Sequence, residues 1–298
     1  MFRYLIHKFI IKVVEGFGGG ASIVICNLFS RLMSSKIRFK RIADNNSLCE
    51  VTEFYTGRER LSHCYHLEAR SHIYLRGISR RGSKIAHEYG IDRIKFEAGD
   101  LIIEAGSNSG DLLIYLAGVG VPLEIHCFEP DPCAFGALKI NCSKMTGANA
   151  VNFALSNICG EANLYLSTLG GDSSLSEPES YTDKILMECI TLDEYIEKND
   201  KLNHRPIIKL FKLEAEGFEP EVIMGAINSL GRILYIAADL GWERGIAQEC
   251  TIPQVTNLLL NNGFELEHVN KDGIHYLFKN KSMESLCESS QTLSLESV

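Results

Sequence analysis

A chain of 298 residues is long enough for one large α/β domain with a substantial core, or for two smaller domains. Its hydrophobic share of 45% and charged share of 23% are typical of a folded globular protein. The formal net charge of −8 argues against a general nucleic-acid binder, because a phosphate backbone requires a basic surface. The ten cysteines include no CxxC pair, which favours reduced thiols in an intracellular protein over a disulfide framework.

The first 42 residues carry an excess of positive charge. Eight Lys or Arg residues stand there against one acid, Glu15, which gives +7 for this segment and leaves −15 for the remainder. The uncharged run between Glu15 and Arg31 spans 15 residues, whereas a membrane-spanning helix requires about 20. We therefore predict a helical segment over residues 1–48, either packed on the domain or lying on an anionic membrane surface. No A-x-A-like cleavage site follows the basic start, so we expect a cytoplasmic protein, peripheral at the inner membrane face in the second case.

Residues 49–94 are predicted to form a helical lead-in to the core. Leu61, Tyr65 and Ala69 recur at helical spacing, and Gly90 closes the pattern. The stretch HCYH at 63–66 is the densest group of soft metal ligands in the chain. No second cluster completes it, so a helix surface carrying histidines is preferred to a metal site.

From residue 101 onward, strand and helix patterns alternate, interrupted by a polar Gly/Ser-rich stretch at 167–183. A Lys-Asp-Gly turn at 271–273 joins the last two apolar runs and predicts a hairpin. The predicted strands are LIIEA, LEIHCFEP, AVNFALSN, IIKLFKLEAEG, RILYIAADL, FELEHVN and GIHYLFKN, and the helices between them are GDLLIYLAGVG, DPCAFGALKINCSK, FEPEVIMGAINSLG and TIPQVTNLLLNNG.

This order predicts a doubly wound, mostly parallel seven-stranded sheet that ends in an antiparallel hairpin. We assign it to one domain over residues 95–280. The Ser/Glu-rich residues 281–298 lack periodicity and are predicted to form a disordered tail.

The turn after the first strand of this domain has the form of a nucleotide-binding loop. Glycines permit close backbone approach, and the following helix offers free N–H groups to an anion. The spacing is G-x-x-x-G, with an acid two residues before the first glycine, and not the G-x-G-x-x-G of dinucleotide-binding loops. It therefore favours a smaller nucleotide, bound by Glu104, Gly106, Ser107, Asn108 and Gly110.

The next two strand ends add further candidates for the same pocket. Glu129, followed by Pro130, lies 19 residues after Gly110 and is placed to accept the hydroxyls of a ribose. Phe153 and Ala154, at the third strand end, would line an adenine pocket. Each residue singly could also be a solvated strand end or a helix cap without any role in binding. Only their combination favours a nucleotide.

Three acids follow the fourth and fifth strands. Glu214 and Glu216 lie on the same face of an extended segment because side chains repeat every two residues, and Asp239 ends the next strand. Their positions allow them to orient a substrate hydroxyl, to act as a general base, or to hold a divalent metal ion. Helix capping and simple exposure remain the alternatives for each acid singly.

The ordered set EAGSNSG, FEPDP, ALSN, ITLDEYI and KLEAEGFEPEVIMGA resembles the FkbM-type methyltransferases. That resemblance covers roughly residues 95–280. It implies a class I methyltransferase (Rossmann-like) fold, S-adenosylmethionine as cofactor, and methyl transfer, usually to oxygen, on a sugar, glycan or natural-product hydroxyl.

Matched by position, the resemblance implies roles for individual residues. Glu104 would lie near the methionine part of the cofactor, and Glu129 would bind its ribose. The loop that contains Asp172, Ser173 and Ser174 is similar to a family loop beside the acceptor. Glu214, Glu216 and Gly217 match an Asp-x-Glu-Gly motif, from which Glu214 or Asp239 would take the acceptor's proton and Glu216 would orient the sugar.

This sequence departs from the family pattern at three positions. The family usually has Asp where Glu104 and Glu214 stand, and Ala where Ser107 stands. An added methylene is enough to displace a preorganised carboxylate, so a degenerate cofactor-binding or membrane-surface interaction protein is an alternative. A second alternative, an NAD-dependent oxidoreductase, is disfavoured by the missing third glycine and by the terminal hairpin.

Overall fold

The computed structural model describes residues 21–32, 36–42, 48–55, 58–167, 172–205 and 207–283. Short 3₁₀ turns lie between some of the regular elements. In chain order these elements are α1 (Ser22–Leu32), β1 (Ile37–Arg41), β2 (Leu48–Tyr55), β3 (Arg58–His66), α2 (Ile78–Glu88), β4 (Leu101–Ala105), α3 (Asp111–Leu116), β5 (Glu124–Phe128), α4 (Pro132–Cys142), β6 (Ala148–Val151), β7 (Ala154–Leu155), β8 (Gly160–Leu166), β9 (Asp183–Ile190), α5 (Leu192–Lys198), α6 (Asp200–Asn203), β10 (Ile208–Leu213), α7 (Glu219–Met224), β11 (Ile233–Asp239), β12 (Trp242–Arg244), β13 (Glu249–Cys250), α8 (Ile252–Asn261), β14 (Phe264–Val269) and β15 (His275–Asn280).

The amino-terminal part is an antiparallel sheet, β1-β2-β3, covered by α1. Part of the helical segment predicted over 1–48 is present at α1. The prediction is wrong at Ile37–Arg41, which form the strand β1 with buried Ile37 and Phe39 separated by exposed Arg38. Residues 1–20 lie outside the described part. Within the described ranges, no helix has both the length and the apolar character needed to cross a membrane.

The helix predicted over residues 49–66 is wrong, because these residues form β2 and β3. Both faces of the end of β3 are covered, which hides the alternation of a strand in the sequence. Tyr65 packs with α1 and Tyr74 on one face, and Cys64 packs against Ala137 of α4 on the other. A helix appears only at α2, after a 3₁₀ turn at Glu68–Tyr74.

The central sheet has the strand order β14-β15-β11-β10-β4-β5-β6. Its strands are parallel except β15, which runs antiparallel to both neighbours. All five residues of β4 are buried, as expected for a central parallel strand covered on both faces. The terminal hairpin and the mostly parallel seven-stranded sheet are therefore confirmed, and this order is that of the class I methyltransferase fold.

The core divides into two clusters on opposite faces of this sheet. Leu101 and Ile103 of β4 belong to one cluster and Ile102 to the other, because successive side chains point to opposite faces. Glu104 therefore shares the face of Ile102. The alternation of side chains between the two faces of the sheet therefore determines which charged side chains meet at the strand ends.

A small sheet, β7-β9-β8, stands beside the central one and was not predicted. Its strands β8 and β9 flank the polar stretch at 167–183, where the sequence suggested only an interruption. Residues 168–171 and 284–298, which include most of the predicted tail, lie outside the described part. The boundaries assigned to the domains stay predictions.

Candidate functional site

The turn between β4 and α3 is shaped by three residues with left-handed backbone: Gly106 (φ 71°), Asn108 (φ 49°) and Gly110 (φ 80°). A Cβ atom on Gly106 would lie 1.7 Å from the carbonyl oxygen of Glu214, so only glycine fits where the chain passes the end of β10. The Ser107 N–H donates to the Phe128 carbonyl at 2.9 Å, which fixes the loop against the end of β5.

Glu104 and Lys212 form a buried ion pair at the carboxyl ends of two neighbouring strands. They are register partners in β4 and β10, with Nζ 3.4 Å from Oε1 of Glu104. Burial raises the pKa of Glu104, and the ammonium opposes that effect. The other oxygen, Oε2, is buried and has no hydrogen-bond partner among the described residues. It is an open acceptor for a ligand donor.

Lys212 also forms an ion pair with Glu214, two residues further along. Burial acts to raise the pKa of Glu214, but the Lys212 ammonium outweighs it, so the net shift is downward. The ammonium also lies 5.3 Å from the ring centroid of Tyr89 on its aromatic face. Glu214 is therefore held as a weakly basic carboxylate, which does not favour the predicted role of proton acceptor.

Glu129, at the end of β5, binds the backbone of two turns. Its Oε2 accepts from the Asn108 N–H at 2.7 Å and its Oε1 from the Asp131 N–H at 2.8 Å. Burial raises the pKa of this carboxyl to about 8 even though the two backbone donors lower it. Each oxygen retains a lone pair, so the carboxylate can still accept hydroxyl donors from the cavity.

Glu216 is in an unusual backbone conformation and an acidic environment. Its φ of 51° is rare for a residue with a side chain, and it precedes Gly217 at φ 89°. Burial, followed by the neighbouring Glu243, raises the pKa of Glu216 well above its ordinary value. Burial, followed by the neighbouring carboxylates with Asp239 first, raises the pKa of Glu243 to about 8. The charge of Glu243 therefore opposes ionisation of Glu216.

Asp239 lies beside the cavity and does not line it. Its Oδ2 is 3.1 Å from Nε2 of His275, and its Oδ1 accepts from the Gly241 N–H at 3.0 Å. Nδ1 of His275 lies 2.7 Å from the amide nitrogen of Asn270, so both ring nitrogens of this histidine have partners. Asp239 thus supports His275, which does line the cavity.

The loop predicted to lie beside the acceptor, which contains Ser173 and Ser174, contacts both the segment after β5 and the segment after β10. The Ser173 hydroxyl donates to Asp131 at 3.0 Å, and the Ser174 hydroxyl donates to the Glu216 carbonyl at 2.7 Å. The loop is therefore attached both to the end of β5 and to the segment after β10. Its Gly170 and Gly171 lie outside the described residues.

A cavity of about 260 Å³ lies at the carboxyl ends of the strands, where open α/β sheets bind ligands. Of the predicted site residues, only Gly110 and Asp239 do not line it. The predicted residues in its wall are Glu104, Gly106, Ser107, Asn108, Glu129, Pro130, Phe153, Ala154, Asp172, Ser173, Ser174, Glu214 and Glu216. Their individual roles stay predictions.

Several charged or polar lining residues were not predicted. Lys212 could have been found, because it is a charge within an apolar strand pattern, on the same face as Glu214. Asp131 could have been found by its spacing from Glu129. Asp111 and His275 stand on elements that were predicted for the sheet domain but were not singled out. The other four stand on a segment whose place beside the sheet no pattern indicated: Arg70, Arg81, Glu88 and Tyr89.

A metal ion has no support from this geometry. Among the described residues, no three His, Cys, Asp or Glu side chains are grouped so as to hold one. The histidines of HCYH are buried in β3: His63 contacts Asp111 at 2.9 Å and His66 contacts the Ser109 hydroxyl at 3.2 Å. The interpretation of this stretch as a helix surface is therefore wrong.

The strand order and the acids at the strand ends define a class I methyltransferase domain. A family model, described as the methyltransferase FkbM domain, matches residues 104–274. Since that match covers more than half of the chain, the protein belongs to the FkbM methyltransferase family. The resemblance inferred from the motifs is confirmed, and with it the coarse function, methyl transfer from S-adenosylmethionine.

Solved structures similar to this chain share 10–15% sequence identity with it in three examples. An rRNA methylase from Streptococcus thermophilus is 15% identical over 67% of this chain and 97% of its own, with a TM-score of 0.37. The fibrillarin of Aeropyrum pernix, with natively bound S-adenosyl-L-methionine, is 12% identical over 82% and 93%, with a TM-score of 0.41. The magnesium protoporphyrin IX methyltransferase of Synechocystis PCC 6803 is 10% identical over 70% and 81%, with a TM-score of 0.39. No curated protein matches the chain.

Proposed function

We propose that the protein methylates a hydroxyl oxygen of a sugar, a glycan or a related natural product. The observation that carries this proposal is Glu216, a cavity-lining carboxyl in a left-handed backbone conformation with the charge of Glu243 nearby. Glu216 lines the cavity and has a raised pKa, as a proton acceptor for a weakly acidic hydroxyl requires. The methyl donor supplies an activated electrophile, so the chain has to position and deprotonate the acceptor.

The cofactor end of the cavity fits S-adenosylmethionine by the chemistry of its donors and acceptors. In this proposal the orphaned Oε2 of Glu104 accepts from the cofactor ammonium, and Glu129 accepts from the ribose hydroxyls. Phe153 and Ala154 line the cavity beside Glu129 and would contact the adenine. The longer side chain at position 104 still reaches the cavity, which favours a binding-competent site despite the Asp-to-Glu departure.

Proton transfer is assigned to Glu216 in place of Glu214 or Asp239. Glu214 is neutralised by Lys212, and Asp239 is directed at His275. As the new C–O bond forms and the sulfur–methyl bond breaks, the hydroxyl proton passes to the Glu216 carboxylate. The sulfur keeps the electron pair, which leaves S-adenosylhomocysteine and the methyl ether.

Labelled S-adenosylmethionine, incubated with the protein and cell-envelope glycan fractions, tests this function. We expect a glycan fraction to take up the label. The label should leave that fraction when a mild treatment cleaves the sugar from it, and Glu216→Gln should strongly reduce the labelling. Label on no acceptor, with intact binding of S-adenosylhomocysteine, would support the degenerate binding protein instead.

We further propose that residues 1–42 contact an anionic membrane surface. Helix α1 has no acidic residue, and three apolar side chains spaced by four along it are exposed: Val24 (67%), Leu28 (58%) and Leu32 (74%). This stripe and the +7 charge of the segment fit the apolar and electrostatic parts of binding to an anionic surface.

Cosedimentation of the full chain with vesicles tests this contact. We expect binding to vesicles containing phosphatidylglycerol, weaker binding to pure phosphatidylcholine, and loss of binding in Val24→Ser/Leu28→Gln/Leu32→Gln. Leu186→Gln, at an equally exposed leucine on β9, is the matched control. Equal binding by the triple variant contradicts the proposal, and a change of oligomeric state would identify a second copy as the partner.

A further inference from the structure

The amino-terminal part contributes charged side chains to the cavity although it precedes the family domain. The family match begins at residue 104, yet Arg70, Arg81 and Glu88 line the cavity wall. Arg81 stands on α2, which packs against α3 directly after the nucleotide-binding turn. The cation nearest to the beginning of α3 is thus supplied from outside the matched region.

Arg81 is held in place by a buried carboxylate. Its Nε donates to Oδ2 of Asp111 at 2.7 Å, while Oδ1 of Asp111 accepts from the Tyr74 hydroxyl at 2.6 Å and lies 2.9 Å from Nε2 of His63. Burial raises the pKa of Asp111, but the Arg81 guanidinium and its other partners hold it well below the ordinary range. Asp111 is therefore a fixed anion with three partners, all from the amino-terminal part.

The terminal nitrogens of Arg81 remain available to a ligand. Within the described ranges, Nε is the atom of this guanidinium that has a hydrogen-bond partner, and the side chain keeps 23% of its surface exposed. Lys212, by contrast, is shared between Glu104 and Glu214. Of these two cations, Arg81 is the one whose outer nitrogens can donate hydrogen bonds to a ligand.

The amino-acid end of S-adenosylmethionine carries an ammonium and a carboxylate, so its pocket needs an acceptor and a donor. Glu104 supplies the acceptor. We propose that Arg81 supplies the donor and binds the carboxylate of the cofactor, with Asp111 as the positioning residue behind it. A guanidinium fixed through Nε presents its two outer nitrogens as a planar fork that matches a carboxylate. The inference rests on the chain binding this cofactor and is independent of the acceptor.

Calorimetric titration with two ligands tests the proposal without any turnover. One ligand is S-adenosylhomocysteine, and the other is its decarboxylated analogue, which lacks only the carboxylate. We expect Arg81→Ala to weaken binding of S-adenosylhomocysteine by about 10- to 100-fold, the range for a hydrogen bond to a charged group, and to leave the analogue unchanged. The affinity of Arg81→Lys for S-adenosylhomocysteine should lie between those of wild type and Arg81→Ala, because a single ammonium replaces the two outer nitrogens of the guanidinium.

Arg80→Ala is the matched control, since Arg80 stands next on the same helix and is exposed. If Arg81→Ala does not fold with Asp111 left unpaired, the double variant Arg81→Gln/Asp111→Asn removes both charges and keeps the test available. Equal loss for both ligands, or no loss for either, overturns the proposal. If the wild-type chain binds neither ligand, the assignment of the cofactor itself fails, which is a separate result.

Discussion

Lys212 and Glu104 face each other as register partners at the ends of adjacent parallel strands, 3.4 Å apart and almost fully buried. Glu214 contacts the same ammonium from two residues further along. Glu104 and Glu214 are the two positions at which the resemblance to the family implied an aspartate. The two acids share one lysine, and the three groups carry a net charge of −1 at the wall of the cavity.

Replacing Lys212 with Met should strongly destabilise the protein at neutral pH. The change leaves Glu104 buried without its counter-ion, and breaking a buried pair costs about 3–5 kcal/mol in free energy of unfolding. The pKa of both acids should rise, so the folded variant takes up protons as the pH falls. The difference in free energy of unfolding between wild type and variant should therefore be smaller at pH 5 than at pH 7. Urea unfolding at the two pH values measures it.

Lys209→Met is the control for this prediction, because Lys209 lies on the same strand and pairs with Asp100 at 3.9 Å. A partly exposed pair of this kind contributes about 0–1 kcal/mol. Similar losses in the two variants, or a deficit that does not depend on pH, would contradict the buried-pair interpretation.

Gly106 should not tolerate a side chain. A Cβ there would lie 1.7 Å from the Glu214 carbonyl oxygen, so Gly106→Ala has to separate the ends of β4 and β10. Gly120 has a similar φ of 82°, but a Cβ on it would meet no atom within 4 Å, which makes Gly120→Ala a control for backbone strain alone. We expect a loss of about 1–2 kcal/mol at position 120 and about 2–5 kcal/mol at position 106 in denaturant unfolding. Equal losses of free energy of unfolding in the two variants would show that the contact between position 106 and the Glu214 carbonyl does not exclude a side chain.

The sequence was sufficient to predict the sheet and the site residues that end its strands. Glu104, Glu129 and Glu214 follow apolar runs whose order in a parallel sheet brings their carboxyl ends to one edge, so local pattern determined their common location. The terminal hairpin was likewise specified by its Asp-Gly turn.

What the sequence did not specify depends on contacts between segments far apart in the chain. The strand ending at His66 lost its alternation because α4 covers one of its faces, and Arg81 enters the site only because α2 packs on α3. The effect of Glu243 on Glu216 depends equally on the tertiary structure, so the sequence favoured Glu214 or Asp239 as the proton acceptor. Periodicity identifies the face of an element but not its partner.

Glu129→Gln should weaken recognition of the ribose. An amide nitrogen cannot accept the backbone N–H that each carboxylate oxygen now binds, and it cannot accept from a ribose hydroxyl. We expect binding of S-adenosylhomocysteine to fall by about 10- to 100-fold in calorimetry, and discrimination against its 2′,3′-dideoxy analogue to disappear. Glu124→Gln, at the beginning of the same strand, should keep both properties; a preserved preference for the ribose hydroxyls in Glu129→Gln would refute the assignment.

The rate of methyl transfer should rise with pH through the raised pKa of Glu216, because a proton acceptor has to be deprotonated. Glu216→Gln should lower kcat by about 10²- to 10⁴-fold at saturating cofactor. Glu243→Gln removes a neighbouring negative charge, so the pKa of Glu216 should fall and the rise in kcat should move to lower pH. Glu221→Gln, at an acid paired with Arg244, is the control and should leave the profile in place. A wild-type profile in Glu243→Gln, or undiminished kcat in Glu216→Gln, would exclude Glu216 as the proton acceptor.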